Sequence, residues 1–251
     1  MEDALPPAIP AATVILMRPA ANGGAPEILM MERARTMAFA AGALVFPGGR
    51  IDPQDHEAAA VLAPSLTDAA ARIAAVRETI EETGIAPALA PDPDAAALRR
   101  GLAGGDAFAD LLDRHGLTLD LNALTPFARW CPNFREARRF DTFFYLADAP
   151  PDAGDATADQ AEAVRTFWST AAATLAEIEA GRAHAIFPTR RNLERLAHFG
   201  SIEAARDDAR RHPVRQITPW VEERDGARWV CIPEGIGYPV TAERYETARR
   251  R

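Results

Sequence analysis

Cysteine is nearly absent from this 251-residue chain, with Cys131 and Cys231 as the only two. Two cysteines so far apart in sequence build neither a disulfide framework nor a zinc site by themselves. Each sits beside tryptophan or apolar residues, so both are read as buried thiols. Lysine is missing altogether, and all 28 basic residues are arginine. With plentiful alanine, proline and glycine this reads as codon bias, and no function is assigned to it. Long apolar runs are missing too. No stretch approaches the roughly 18 residues of a membrane span, and the opening MEDALPPAIP lacks the basic and apolar blocks of a signal peptide. The expectation is a cytoplasmic protein with no membrane partner. Positive charge is in deficit, giving a formal net charge of −8, which argues against a nucleic-acid partner because such binding needs a broad basic surface. A few local arginines can still hold a small anion.

Apolar residues make up 48% of the chain and charged residues 25%, the balance of an ordinary globular protein with a real core. The length suits one large domain with insertions. ATVILMR (12–18) and EILMMER (27–33) are short apolar runs joined by a turn-forming Asn-Gly-Gly stretch, and they read as a hairpin of core strands. ALVF (43–46) is a further strand that ends at the breaker Pro47-Gly48-Gly49. PFARW (126–130), FDTFFYLA (140–147) and VRTFWS (164–169) read as strands, the second so aromatic that it belongs in the middle of a sheet. Helices are expected near 171–180 and 189–209, and Asp225-Gly226 between two strand-like runs signals a closing hairpin. Phe143, Phe144, Trp168 and Trp220 are most simply core. The fold expected is a mixed β-sheet with helices on its faces, of the α/β (α+β) class.

Residues 65–83 carry a helical pattern. Ser65 and Asp68 are spaced as a capping box, and Gly84 is placed to take the left-handed conformation after the last turn. Within this helix RETIEETGI (77–85) packs three glutamates into five positions. At 100° per residue from Arg77, Glu81, Glu78 and Glu82 fall at about 40°, 100° and 140°, whereas Ala69, Ile73, Val76 and Ile80 cluster between about 260° and 320°. The acidic face therefore points away from the core. Neighbouring like charges on a helix repel by a few tenths of a kcal/mol, so a partner should neutralise them. Converging carboxylates are the ligands that magnesium or manganese prefer, and these ions also recruit substrate phosphates. A bare RExxEE is more often a solvated face, but the upstream FPGGRID changes the balance, since two glycines allow a tight turn that offers a carbonyl to a cation or an amide to a phosphate.

Together PGGRID and RETIEETGI resemble the signature of the Nudix hydrolases, G-x5-E-x7-R-E-U-x-E-E-x-G-U with U apolar. Arg77, Glu78, Glu81, Glu82, Gly84 and Ile85 match its second half, and Thr79 replaces one U. Gly49 lies 28 positions before Arg77, against 14 in the signature, so about 14 extra residues lie inside the motif. Three acids compete for the place of its first glutamate: Asp55 keeps the distance from Gly49, Asp68 is one residue off when counted back from Arg77, and Glu57 fits neither count. RARTMAFAAGALVFPGG is similar to the upstream element of the coenzyme A diphosphatase branch, L-L-T-x-R-[SA]-x3-R-x3-G-x3-F-P-G-G. Leu29, Arg33, Ala34, Gly42 and Phe46 fall on that pattern, while Ala38 stands where its second arginine is expected. PFARWCPNFREARRFDTFFYLA and FPTRRNLERL also look like segments of that branch.

The resemblance implies a Nudix-type α/β/α sandwich with a core over 10–180 and insertions near 53–66 and 91–121. A helical and hairpin extension over 181–251 is expected to form a homodimer contact or close the pocket. It implies a Mg2+- or Mn2+-dependent pyrophosphohydrolase of a small nucleoside diphosphate derivative. Glu78, Glu81 and Glu82, with the carbonyl of Gly48, would hold the ions, and Arg77 would hold a glutamate in its working rotamer. Arg33, Gly42, Phe46 and Gly49 would meet the substrate. Glu78 and Glu162 remain alternative proton acceptors. Arg138 and Arg139 read as structural or surface residues.

Overall fold

The computed structural model describes residues 6–34, 36, 40–132, 139–151, 153–154 and 163–248. In chain order these form β1 (Ile9–Arg18), β2 (Glu27–Arg33), β3 (Leu44–Val45), β4 (Gly48–Arg50), α1 (Pro53–Leu62), α2 (Ala69–Thr83), β5 (Leu89–Ala90), α3 (Ala95–Ala103) and α4 (Phe108–His115). They continue as β6 (Thr118–Leu119), β7 (Thr125–Trp130), β8 (Phe140–Asp148), β9 (Ala163–Thr170), α5 (Ala171–Glu179), α6 (Phe187–Leu196) and α7 (Ile202–Arg211). The chain closes with β10 (Gln216–Ile217), β11 (Trp220–Arg224), β12 (Ala227–Cys231), β13 (Ala242–Arg244) and α8 (Tyr245–Ala248).

The main sheet has eight strands in the order β10-β7-β8-β1-β2-β3, with β4 added to β1 and β9 to β2. It is mixed, because β1 runs parallel to β8 and β10 parallel to β7, while the other pairs are antiparallel. Both faces are covered, so β1 carries a continuous apolar run rather than an alternating one. Its residues still alternate in direction. Ala12, Val14 and Leu16 pack with Ile73, Val76 and Ile80 of α2 on one face, and Ile15 and Met17 pack with Leu193 and Leu196 of α6 on the other. The aromatic strand β8 lies between β7 and β1, well inside the sheet.

The β1–β2 hairpin pairs directly only at Met17↔Ile28 and Arg18↔Glu27. Beyond that the strands part. β4 pairs with β1 through Ala11–Thr13, and β3 pairs with β2 through Met31–Glu32. The two glycines after Pro47 therefore open a strand, β4, that fills the split beside β1, and are not only a breaker. Residues 181–248 supply α6 and α7 to the second core and add β10 to the edge of the sheet.

Several local expectations change. Helix α2 begins after Asp68 and not at Ser65, and Asp68 makes no side-chain cap; it accepts a hydrogen bond from Arg72 Nε (2.9 Å) instead. Gly84 does end it, at φ 70°. The helix expected over 189–209 is two, because Ser201 accepts a hydrogen bond from the Ala204 amide (3.1 Å) and so starts α7 anew. Trp220 is 41% exposed on β11 and is no core residue, whereas Phe144 is buried. The closing hairpin forms at Asp225-Gly226, both with positive φ. Both cysteines are buried and free, and burial pushes both thiols up from the ordinary value. Among the described residues no helix is long and apolar enough to cross a membrane.

Candidate active site at the α2–β4 junction

The acidic face of α2 points away from the main core, but it is covered, because α1 and β4 lie against it. Arg77 is 2% exposed and Glu82 4%, a degree of burial that helical periodicity alone does not reveal. Charged side chains so placed need partners. Arg77 Nε donates to Asp55 Oδ1 (3.0 Å) and its Nη2 to Asp55 Oδ2 (2.9 Å), a forked pair with an aspartate that is itself 1% exposed. The same Nη2 donates to the Arg50 carbonyl (3.1 Å). Arg77 Nη1 donates to Glu78 Oε1 (3.0 Å) and Glu81 Oε2 (2.9 Å). Asp52 lies 3.5 Å from Nη2.

Asp55 reaches this place because α1 begins at Pro53, and its Oδ2 accepts the Asp52 amide (2.8 Å), which locks the first turn. Of the three acids competing for the place of the first signature glutamate, Asp55 alone meets Arg77. Asp68 pairs with Arg72 and accepts the Tyr145 hydroxyl (3.1 Å), and Glu57 is exposed. The spacing from Gly49 was the signal, and only the fold decided it.

Glu82 turns the other way and accepts the Gly48 amide (2.8 Å). Gly49 lies flat against Glu78: a Cβ there would overlap the Glu78 carboxylate. Both glycines thus let β4 approach the helix, and Gly49 touches a glutamate. Thr79, in a position where the signature has an apolar residue, is fully buried with its hydroxyl donating to the Ala75 carbonyl (2.7 Å). That bond satisfies the extra polar group, so the departure is structurally silent.

The electrostatics are lopsided. Four carboxylates, those of Asp52, Asp55, Glu78 and Glu81, lie within ion-pair distance of the single Arg77 guanidinium. Burial works against the Arg77 charge, yet the Asp55 hydrogen bonds and the Glu78, Asp55 and Glu81 charges outweigh it and hold its pKa above the ordinary arginine value. Burial raises the Glu81 carboxyl, against the lowering effect of Arg77. Among the described residues no three His, Cys, Asp or Glu side chains are gathered as a ready metal site, since Glu78 and Glu81 turn to Arg77 and Glu82 to Gly48. The donor set nevertheless fits a hard divalent cation, because its oxygens are all carboxylate and their negative charge exceeds what one guanidinium can neutralise.

The other expected site residues lie elsewhere at this end of the sheet. Arg33 closes β2, half-buried, and its Nε has no hydrogen-bond partner among the described residues. Gly42, at φ 68°, turns the chain back and donates its amide to the Arg33 carbonyl (3.1 Å). Phe46 is a core side chain, 3% exposed and edge-on to Phe144 with ring centroids 6.4 Å apart. It packs into the core on the α6 face of the sheet. Arg139 precedes β8, and its Nε is also without a hydrogen-bond partner among the described residues. Glu162, Ala38 and Arg138 lie outside the described residues.

No protein-family model matches the sequence, and no curated protein matches it. Solved structures do match. A Nudix hydrolase from Alicyclobacillus acidocaldarius is 32% identical, with a TM-score of 0.70 over 81% of this chain and 97% of that one. The Nudix domain of Shewanella oneidensis NrtR, solved with ADP ribose, is 15% identical with a TM-score of 0.45, over 77% of this chain and 89% of that one. An Ap4A hydrolase from C. elegans is 15% identical with a TM-score of 0.37, over 70% and 90%. On the first of these likenesses, and with the mixed sheet, helix α2 and its glutamates in place, the chain belongs to the Nudix hydrolases, enzymes that act on phosphorus-containing anhydrides.

Proposed function

We propose that this enzyme cleaves the P–O–P linkage of coenzyme A or an acyl derivative, yielding 3′,5′-ADP and the (acyl-)phosphopantetheine. The observation that carries hydrolysis is the excess of carboxylate around Arg77 at the α2–β4 junction. The choice of coenzyme A is supported by the upstream pattern, with Arg33 and Gly42 paired through their backbones at the same end of the sheet.

Glu78, Glu81 and Glu82, with the Gly48 carbonyl, would hold Mg2+ or Mn2+. When bound, such an ion supplies Lewis-acid charge to the phosphate oxygens and lowers the pKa of a coordinated water. The chain's own residues do the rest. Arg77 restrains Glu78 and Glu81 through its Nη1, and Asp55 in turn fixes Arg77. Gly48 and Gly49 bring β4 against Glu82 and Glu78. The Arg33 guanidinium offers forked donors to a substrate phosphate. Glu78 or Glu162 takes the proton from the attacking water. Most of the rate enhancement would then come from positioning and preorganised charge.

The test is incubation of the pure protein with coenzyme A, NADH, ADP-ribose and nucleoside triphosphates in the presence of Mg2+ or Mn2+, with products separated by anion exchange. Release of 3′,5′-ADP from coenzyme A is the expected result. If coenzyme A stays intact while another diphosphate is cleaved, the substrate assignment falls; Ala38, where the pattern has arginine, favours NADH or ADP-ribose as the second reading. Nucleotide binding by calorimetry without product under any divalent ion would instead mark a sensing module.

A further inference from the structure

The small sheet near the C-terminus runs β11-β12-β13, and among the described residues no strand pairs with the outer edge of β11. An open edge presents unpaired backbone groups that template a further strand, and proteins blunt it with proline, a bulge, charge or cover. The five residues of β11, WVEER, include no proline and pair with β12 in unbroken register. Trp220 and Val221 stand 41% and 42% exposed on this edge. Its charges remain the one guard, and they complement those of a second copy of the same strand.

The turn decides which groups face outward. Asp225 and Gly226 form a two-residue loop with positive φ at both positions, closed by the pair Arg224↔Ala227. In such a hairpin the closing pair is hydrogen-bonded and the bonding alternates from there, so Trp220, Glu222 and Arg224 turn their backbone groups to β12 while Val221 and Glu223 turn theirs out. An antiparallel copy related by a two-fold axis at Glu222 sets Val221 against the partner's Glu223 and Glu223 against the partner's Val221, and each pair exchanges both backbone hydrogen bonds. Other registers fail. An axis at Val221 would set Glu223 against Pro219, which has no amide to donate, and an axis at Glu223 would set Val221 against Asp225, which stands in the turn at φ 50°. At the Glu222 axis the side chains also match. Trp220 meets the partner's Arg224, a cation over an aromatic ring. The two Glu222 carboxylates face each other, but each is held on its own strand by Trp220 Nε1 (3.0 Å) and by Arg224, so this row joins two acids with two bases.

We infer that the outer edge of β11 is an interface between two copies of this chain, joined β11 to β11 about an axis at Glu222 so that two three-stranded sheets become one of six. A contact of five residues a side is small, so the dimer is a weak one that forms with rising concentration. Sedimentation velocity of the full chain from about 5 to 500 µM should show the average mass rising toward twice that of one chain. Val221→Glu sets like charges opposite each other at both outward pairs and should weaken association by about tenfold or more. Adding Glu223→Arg to Val221→Glu restores opposite charges in this register alone and should recover the dimer. A covalent test reads the axis itself. Residues at a pair that is not hydrogen-bonded lie about 4.5 Å apart at Cα, within disulfide reach, so Glu222→Cys, made with Cys231→Ala to remove the neighbouring thiol, should give a disulfide-linked dimer on mild oxidation. Glu223→Cys in the same background should not. A wild type that stays monomeric throughout, a dimer indifferent to Val221→Glu, or equal cross-linking at positions 222 and 223 overturns the inference. Both cysteine variants change exposed or half-buried side chains, and circular dichroism checks that they fold; should Val221→Glu not fold, the cross-linking contrast decides by itself.

Discussion

Asp55 and Arg77, 22 residues apart in sequence, meet through two hydrogen bonds of 3.0 and 2.9 Å. The aspartate comes from the first turn of α1 and the arginine from the middle of α2, so this contact fastens the two helices together. Removing one partner of such a pair leaves a buried charge unmatched, at a cost of about 3–5 kcal/mol. Glu78 and Glu81 still pair with Arg77 when Asp55 is gone, so Asp55→Ala is expected to lower the unfolding free energy by less than that, about 1–3 kcal/mol, read from chemical denaturation. It should also reduce turnover through the released Arg77. Asp55→Glu should recover part of both. Unchanged stability and turnover in Asp55→Ala would refute the role of the contact.

Gly48 and Gly49 should respond differently to alanine. A Cβ at Gly49 meets the end of the flexible Glu78 side chain, whereas one at Gly48 meets backbone, including Thr13 Cα at 2.6 Å, at a φ of 154°. Gly49→Ala should leave the thermal midpoint nearly unchanged and lower kcat by about 10²-fold, the scale of a displaced active-site group. Gly48→Ala should mainly destabilise. Thermal melts and steady-state kinetics on the two variants check the contrast.

Ion removal provides a third test. Chelation with EDTA should abolish hydrolysis, and added Mg2+ or Mn2+ should restore it. Replacing Glu78, Glu81 and Glu82 together by glutamine should lower kcat by at least about 10²-fold, the loss expected when electrostatic stabilisation is withdrawn. A triple variant with wild-type turnover would remove the basis of the proposed mechanism.

Burial raises the Glu81 carboxyl in the folded protein. The folded state then binds the proton more tightly than the unfolded chain, so the contribution to stability is present below the ordinary carboxylate pKa and is lost as pH rises through the raised value. Glu81→Gln cannot titrate, and its denaturant midpoint should fall less steeply than that of the wild type across this interval. Parallel pH profiles would show that Glu81 contributes nothing.

Tyr238 makes a similar test in the second core. Its hydroxyl accepts from Trp130 Nε1 (3.0 Å) and donates to Asn192 Oδ1 (2.7 Å), and burial pushes its pKa up to about 12. Tyr238→Phe leaves two buried groups unmatched and should cost about 1–3 kcal/mol, measured by chemical denaturation. The Tyr238 contribution should be fully present below the ordinary tyrosine value and lost as pH rises through about 12.

The sequence by itself determined the class of the fold, the central strands, the hairpin ends and the acidic helix with its terminal glycine. Those features rest on local rules: an apolar run covered on both faces, a glycine with positive φ, a helical period. It also determined which acids stand on α2. What it did not determine was their surroundings. Three acids competed for one place, and only the packing of α1 on α2 brought Asp55, and not Asp68 or Glu57, to Arg77. The acidic face, expected to point away from the core, meets β4 and α1, and Glu82 is buried while Glu78 and Glu81 are half-buried. One expected helix was cut in two by the Ser201 cap, and Phe46, expected to meet the substrate, packs edge-on to Phe144 in the core. Periodicity specifies which side chains share a face; what that face meets is settled by contacts between residues far apart in the chain, and those exist only once the sheet and its two helical layers have assembled.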